Sequence, residues 1–252
     1  MDALGQVLHI LIDYDNVDPM LRRNGIDHVL HRILDVAASA LGDAMPGRTL
    51  MLLYGGWYEG DRLTRKAQDI VANPRYFASP VPRCPTGFPA ERAVRVQAQL
   101  ARTLLSKSGD MDSEPFTHTM RTRPVSTIGL RTVFPDHARC DADPCFLTWL
   151  GNFFRTGTCQ VSPRRPDISK CALRDEKKLV DVMLATDLLF LAQSARVTAA
   201  VLVSSDDDLW PAIQQATSHL QTLVHIHTNT SGERARYERL VDRNHYRKCS
   251  LF

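Results

Sequence analysis

The chain has 252 residues, a net charge of +3 and an apolar fraction of 44%, which suits one α/β domain carrying an insertion. No stretch of about 18 uncharged apolar residues occurs, which excludes a membrane-spanning helix. The start, Met1-Asp2-Ala3-Leu4-Gly5-Gln6, lacks the basic and apolar regions of a signal peptide, so a cytoplasmic protein with its six Cys mostly reduced is expected.

The first run, Val7–Ile12, is apolar throughout and reads as a strand buried on both faces. It delivers Asp13-Tyr14-Asp15-Asn16 to one edge of a sheet. Asp18-Pro19 then starts a helix, and Ile26, Val29, Leu30, Ile33, Leu34 and Ala37 recur at helical spacing. Arg48–Tyr54 is the second strand, closed by Gly55-Gly56. Glu59–Val71 reads as a helix, Ser79–Pro89 as a Pro-rich loop, and Glu91–Leu105 as a further helix. Ser106–Thr119 reads as a polar loop, and Val125–Phe134 holds a third strand.

The segment 135–173 is rich in Cys, Pro and Arg and reads as an insertion. Asp175–Ala195 reads as a long, well-buried helix. Ala199–Ser204 is a strand, Leu209–His219 a helix, Thr222–His227 a strand, and a basic helix closes the chain over 233–248. Strands alternating with helices predict a mainly parallel sheet of about five strands with helices on both faces.

Acidic residues follow two of these strands. Asp13 and Asp15 end the first; Asp206, Asp207 and Asp208 follow Val201-Leu202-Val203-Ser204-Ser205. Five carboxylates converging at one sheet edge repel one another, and a divalent cation is the usual remedy. Asp181 and Asp187 lie inside the apolar helix between them, where an unpaired Asp is costly. They stand about 120° apart around the axis, so both cannot reach one spot, and Asp181 is preferred because it shares a face with Lys177 and Lys178. Oxygen ligands without nearby His suit Mg²⁺ or Mn²⁺. Such a site can activate water for attack on a phosphodiester. Helix capping is the competing role for Asp208, just before Leu209.

The residues Asp13-Tyr-Asp-Asn16, Lys178-Leu-Val-Asp181 with Asp187 following, and Ser204-Ser-Asp206-Asp-Asp208-Leu-Trp-Pro211 together resemble the NYN domain family of PIN-like nucleases. Ser205 stands where that family usually has Gly, and Leu209-Trp210 replaces a Phe-centred step. The resemblance implies a Rossmann-like PIN fold over residues 1–252 and metal-dependent cleavage of single-stranded RNA. It assigns catalysis to Asp13, Asn16, Asp181, Asp206 and Asp208. Asp13, Asp181, Asp206 and Asp208 would hold Mg²⁺ or Mn²⁺, with Asp187 and Ser204 in support. Water attack on phosphorus needs no 2′-OH, so single-stranded DNA stays open as a substrate.

Two alternatives remain. Asp13-Tyr14-Asp15-Asn16-Val17 also fits a haloacid-dehalogenase-like phosphatase, with Asp13 as nucleophile and Asp15 as acid/base. A catalytically weak RNA-binding or interaction module is the other, and a homo-oligomer or a protein partner is open.

Arg155, Arg164, Arg165, Lys170, Arg174, Lys177 and Lys178 are candidate RNA contacts, and Arg236, Arg239, Arg243 and Arg247 would share one face of the terminal helix. Trp57 and Tyr58 could stack an unpaired base, with core packing the competing role. His137, Cys140, Cys145, Cys159 and Cys171 lack any Cys-x-x-Cys knuckle, so packing thiols are favoured over zinc.

Overall fold

The computed structural model describes residues 7–107, 113–125, 146–160, 164, 166–228 and 237–252. The chain divides into two compact units, Met1–Thr119 with Lys177–Phe252, and Met120–Glu176.

In the first unit, β1 (Val7–Asp13) is followed by α1 (Pro19–Arg23), α2 (Ile26–Leu41) and β2 (Arg48–Tyr54). The Asp18 side chain accepts from the Met20 N–H and caps α1, as the Asp-Pro pair predicts. The expected helix at 59–71 begins late. Tyr58–Glu59 (β3) and Arg62–Leu63 (β4) form a hairpin about Gly60, whose φ of 58° suits glycine. Only then does α3 (Arg65–Val71) start, capped by Thr64. A short α4 (Pro74–Phe77) leads to β5 (Val81–Arg83), a strand inside the expected Pro-rich loop.

The segment expected as a helix at 91–105 is a strand, β6 (Val94–Leu100). Val94, Val96, Ala98 and Leu100 are buried, while Arg95 and Gln99 are exposed. The governing period is two, and the β-branched Val pair fits the pleat.

The second unit holds β7 (Met120–Pro124), α5 (Phe146–Thr156), α6 (Ile168–Cys171) and most of β8 (Leu173–Lys177). β7 neighbours β8, and Thr122 donates to Asp175 at 2.7 Å. Beyond Val125, the third strand expected over 125–134 lies outside the described residues, as does most of the first half of the insertion.

Returning to the first unit, β8 takes the residues expected to open the long helix. Leu179 then adopts a left-handed conformation (φ 67°), and α7 (Val180–Gln193) begins. The helix is buried on one face only, since Val182 and Phe190 are 66% and 43% exposed. β9 (Ala199–Val203), α8 (Trp210–Thr217) and β10 (Thr222–His227) stand where their patterns place them. The basic terminal helix is not formed over 237–252. A turn in which Asp242 accepts from the Asn244 N–H precedes a strand, β11 (Tyr246–Ser250). Arg239, Arg243 and Arg247 therefore share no helical face. Arg247 instead donates to the Ala40 carbonyl.

The sheet order is β11-β10-β9-β1-β2-β6-β5. Every pairing is parallel except β5 against β6. In chain order the six parallel strands run 3-2-1-4-5-6, so the order reverses between β1 and β9. Leu8, Ile10 and Ile12 face α2 and α3 on one side; Leu11, Leu202 and Leu223 face α7 and α8 on the other. In open parallel sheets, ligands bind outside the carboxyl ends of the strands at such a reversal. Among the described residues, no helix is long and apolar enough to cross a membrane.

Asp187 ties α7 to this sheet. It is 1% exposed and accepts from Tyr54 Oη at 2.7 Å and from the Leu105 N–H at 2.8 Å. Asp187→Ala removes both hydrogen bonds from a buried site and is expected to lower stability by about 2–3 kcal/mol. Urea unfolding measures this, and a change below about 0.5 kcal/mol would refute the tie.

Candidate metal centre

The reversal between β1 and β9 brings three carboxylates together. Asp13 ends β1, Asp206 follows β9, and Asp181 lies in the first turn of α7. One ligand oxygen from each lies within 4.8 Å of the others. Oxygens on opposite sides of a bound Mg²⁺ or Ca²⁺ stand roughly 4–5 Å apart, so this triangle fits a single divalent cation. An all-carboxylate donor set also matches a hard cation in charge and chemistry.

Asp13 and Asp206 are positioned by named partners. Asp13 is 1% exposed, and its Oδ2 accepts from Asn16 Nδ2 and, at 3.0 Å, from Ser204 Oγ. Ser204 Oγ also accepts from the Asp206 N–H at 3.0 Å, so one hydroxyl sets two of the three carboxylates. Asp206 Oδ1 accepts from the Asp208 N–H at 2.9 Å and caps the short turn Asp207–Leu209. The cap is thus Asp206, not Asp208. Asp208 is exposed and stands outside the triangle, yet its charge is felt at Asp181.

The electrostatics follow from crowding. Burial pushes the Asp13 carboxyl above its ordinary range, against the hydrogen bonds from Asn16 and Ser204 and the charge of Lys177. Asp181 is pushed up to about 6, by desolvation first and then by the charges of Asp206 and Asp13. Asp187 takes no part in this cluster. It serves Tyr54 and Leu105, as the 120° offset from Asp181 requires.

Beside Asp15 stands Lys66, which pattern reading did not single out. Asp15 is held by Lys66, by the Gly56 N–H at 3.0 Å and by Lys177 at 3.6 Å. Burial acts to raise its carboxyl, but Lys66 and these donors hold it below the usual range. The turn at Gly55 permits the approach. A Cβ there would meet the Trp57 ring at 2.9 Å and Asp15 Oδ2 at 3.2 Å.

His225 is 2% exposed. Its Nε2 lies 3.1 Å from the Ser204 carbonyl, and its Nδ1 lies 2.8 Å from Tyr246 Oη. A carbonyl only accepts, so Nε2 carries the proton and Tyr246 donates to Nδ1. His225 therefore fixes the backbone of the residue that orients Asp13. A His inside the apolar run Thr222–His227 was the available signal for it.

Other candidates lie elsewhere. Trp57 and Tyr58 are 1% and 7% exposed. Trp57 donates to the Leu53 carbonyl, and both rings pack in the core, so neither offers a face to a base. Lys177 is near Asp13 and Asp181, and its charge acts to lower both carboxyls. The Lys178 N–H donates to the Thr119 carbonyl, and its side chain is exposed. Arg164 and Arg174 belong to the second unit, where Arg174 pairs with Glu176. Arg165, Cys140 and Cys145 lie outside the described residues, and Cys159 is half-buried.

No protein-family model, curated protein or solved structure matches this chain.

Metal binding must displace the proton that Asp181 holds up to pH about 6. In the metal-free protein the raised carboxyl adds stability below its unfolded value of 3.8, lost as pH rises through about 6. The Tm increase caused by Mn²⁺ is therefore expected at pH 7.5 and absent at pH 5. Asp181→Asn should remove it at both. Equal Mn²⁺ shifts at the two pH values would contradict this.

Proposed function

We propose that the protein is a metal-dependent ribonuclease of PIN-like, Rossmann-like fold, hydrolysing phosphodiester bonds of single-stranded RNA. The observation that carries this is the Asp13–Asp181–Asp206 triangle at the strand-order reversal. The order 3-2-1-4-5-6 supports the fold, because open α/β sheets bind ligands at such a reversal.

A bound Mg²⁺ or Mn²⁺ would polarise a phosphoryl oxygen and activate water for attack on phosphorus. Asp13, Asp181 and Asp206 hold the cation, and Asp208 lies two residues on, exposed at the same edge. Ser204 and Asn16 keep the Asp13 carboxylate in one orientation. Lys177, anchored on Asp15, places an ammonium near the carboxylates, where it can receive a phosphate oxygen. Free thiols at Cys84 and Cys249 fit a reducing, cytoplasmic setting.

The phosphatase alternative asks Asp15 to donate a proton. Its carboxyl is held low by Lys66 and the Gly56 N–H, whereas a general acid at neutral pH needs a raised one. The nuclease reading instead uses Asp15 as an anchor.

Labelled single-stranded RNA incubated with Mg²⁺ or Mn²⁺ is expected to be cleaved, and EDTA should stop the reaction. Asp206→Asn should reduce turnover by about a hundredfold or more, since even partners of metal ligands typically contribute 10–100-fold. Cleavage surviving both treatments would overturn the mechanism. Hydrolysis of p-nitrophenyl phosphate abolished by Asp15→Asn, without RNA cleavage by the wild type, would establish the phosphatase instead.

A further inference from the structure

A second concave feature adjoins the carboxylates. It has a volume of about 270 Å³ and is bordered by Asp208, Trp210, Pro211, Gln214, Tyr237 and Leu240. That size is just below the usual range for ligand pockets, so it suits one ring system rather than a whole nucleotide. Its position is set by the chain itself. Asp208, on its border, is two residues from Asp206, so their Cα atoms lie within about 7 Å of each other.

The lining matches a planar heteroaromatic ligand. Trp210 and Tyr237 stack at 5.9 Å between ring centroids, with 28° between planes. Trp210 is itself 4% exposed and held by its indole N–H on Asp207 at 3.3 Å, so it is a rigid backing. Tyr237 is half-buried and Leu240 is 57% exposed, which leaves apolar surface open to the pocket. Pro211 and Gln214 are three residues apart on α8, and both are exposed on one face. The Gln214 amide offers a donor and an acceptor, as reading a base edge requires. The carboxylate of Asp208 repels phosphate but accepts from an exocyclic amino group.

We propose that this pocket takes a nucleobase of the substrate strand, next to the phosphate held at the metal centre, and that it favours amino-bearing bases over uracil. The base stacks on Tyr237, and Gln214 and Asp208 read its edge. This rests on the ribonuclease reading and adds its specificity determinant.

The test uses the Mn²⁺-loaded full chain and single-stranded RNAs of one base each. Wild type should cleave poly(C) or poly(A) with a lower KM than poly(U). Tyr237→Ala should raise KM about tenfold, in line with the usual contribution of base–aromatic stacking, with kcat and Mn²⁺ affinity within twofold. Tyr237→Phe keeps the ring and should restore KM. Gln214→Ala, on an exposed helix face, should fold normally and flatten the preference among bases. Unchanged KM and preference in Tyr237→Ala and Gln214→Ala, with active wild type, would overturn the pocket alone. Should wild type cleave no RNA, the ribonuclease reading fails by itself. Calorimetric titration with cytidine and uridine 5′-monophosphates then decides the pocket. Binding of cytidine monophosphate that Tyr237→Ala abolishes supports it, and no binding to wild type overturns it.

Discussion

Burying the Asp13 carboxylate at the end of β1 is costly unless its oxygens are satisfied, and much of the first unit is arranged around that cost. Its donors come from opposite directions in the sequence. Asn16 is three residues on, and Ser204 is 191 residues away, directly after β9. Ser204 can reach only because β9 pairs directly with β1. The Ser204 backbone is in turn held by His225 on β10, and His225 by Tyr246 on β11. Side chains on or directly after four neighbouring strands thus form a line that ends on a single carboxylate. Even so, burial keeps that carboxyl above its ordinary range, an imbalance that a divalent cation would relieve.

Asp13 and Asp15 show how environment separates like groups two residues apart. Asp13 is desolvated by burial and lies near the Asp15 charge, which outweigh its hydrogen bonds from Asn16 and Ser204, so its proton is held more tightly. Asp15 meets two ammonium groups and a backbone N–H, so its proton is lost more readily. The first is suited to a cation and the second to anchoring Lys66 and Lys177. Pairs of carboxylates pushed apart in this way take different chemical roles. The turn between β1 and α1 makes the separation possible, because Tyr14–Asn16 form one short helical turn that points the two side chains to different partners.

The legible parts of the sequence were those with one dominant period. β1, β2, β9 and β10 are continuous apolar runs, and α2 repeats at helical spacing, so all five stand where their patterns place them. At 91–105 two periods compete. Val94, Ala98, Ala101 and Leu105 satisfy helical spacing, while Val94, Val96, Ala98 and Leu100 satisfy strand spacing. Pairing of β6 with β2 decides for the strand, and a single sequence does not display its partner. The 175–195 segment was misread at its start because a Leu in the left-handed region costs roughly 1–2 kcal/mol and has no sequence signature. At the site, Asp13, Asp181 and Asp206 were readable because acidic residues beside apolar elements are anomalous. His225 and Lys66 were not, since each acquires its role from a residue more than twenty positions away.

That left-handed Leu179 has a consequence for the metal centre. It ends β8 and starts α7 within three residues, so Lys177 and Asp181 both stay near Asp13 although they belong to different elements. A helix continuing back to residue 175 would carry Lys177 and Asp181 one turn apart on a single face. The sharp entry instead lets the cation pair with Asp15 while the carboxylate joins Asp13 and Asp206. Six residues further along, Asp187 holds the same helix to Tyr54 and Leu105. One buried carboxylate thereby sets where α7 lies, and the rigid helix carries that setting to the exposed one, so the centre is built on packed elements rather than on loops.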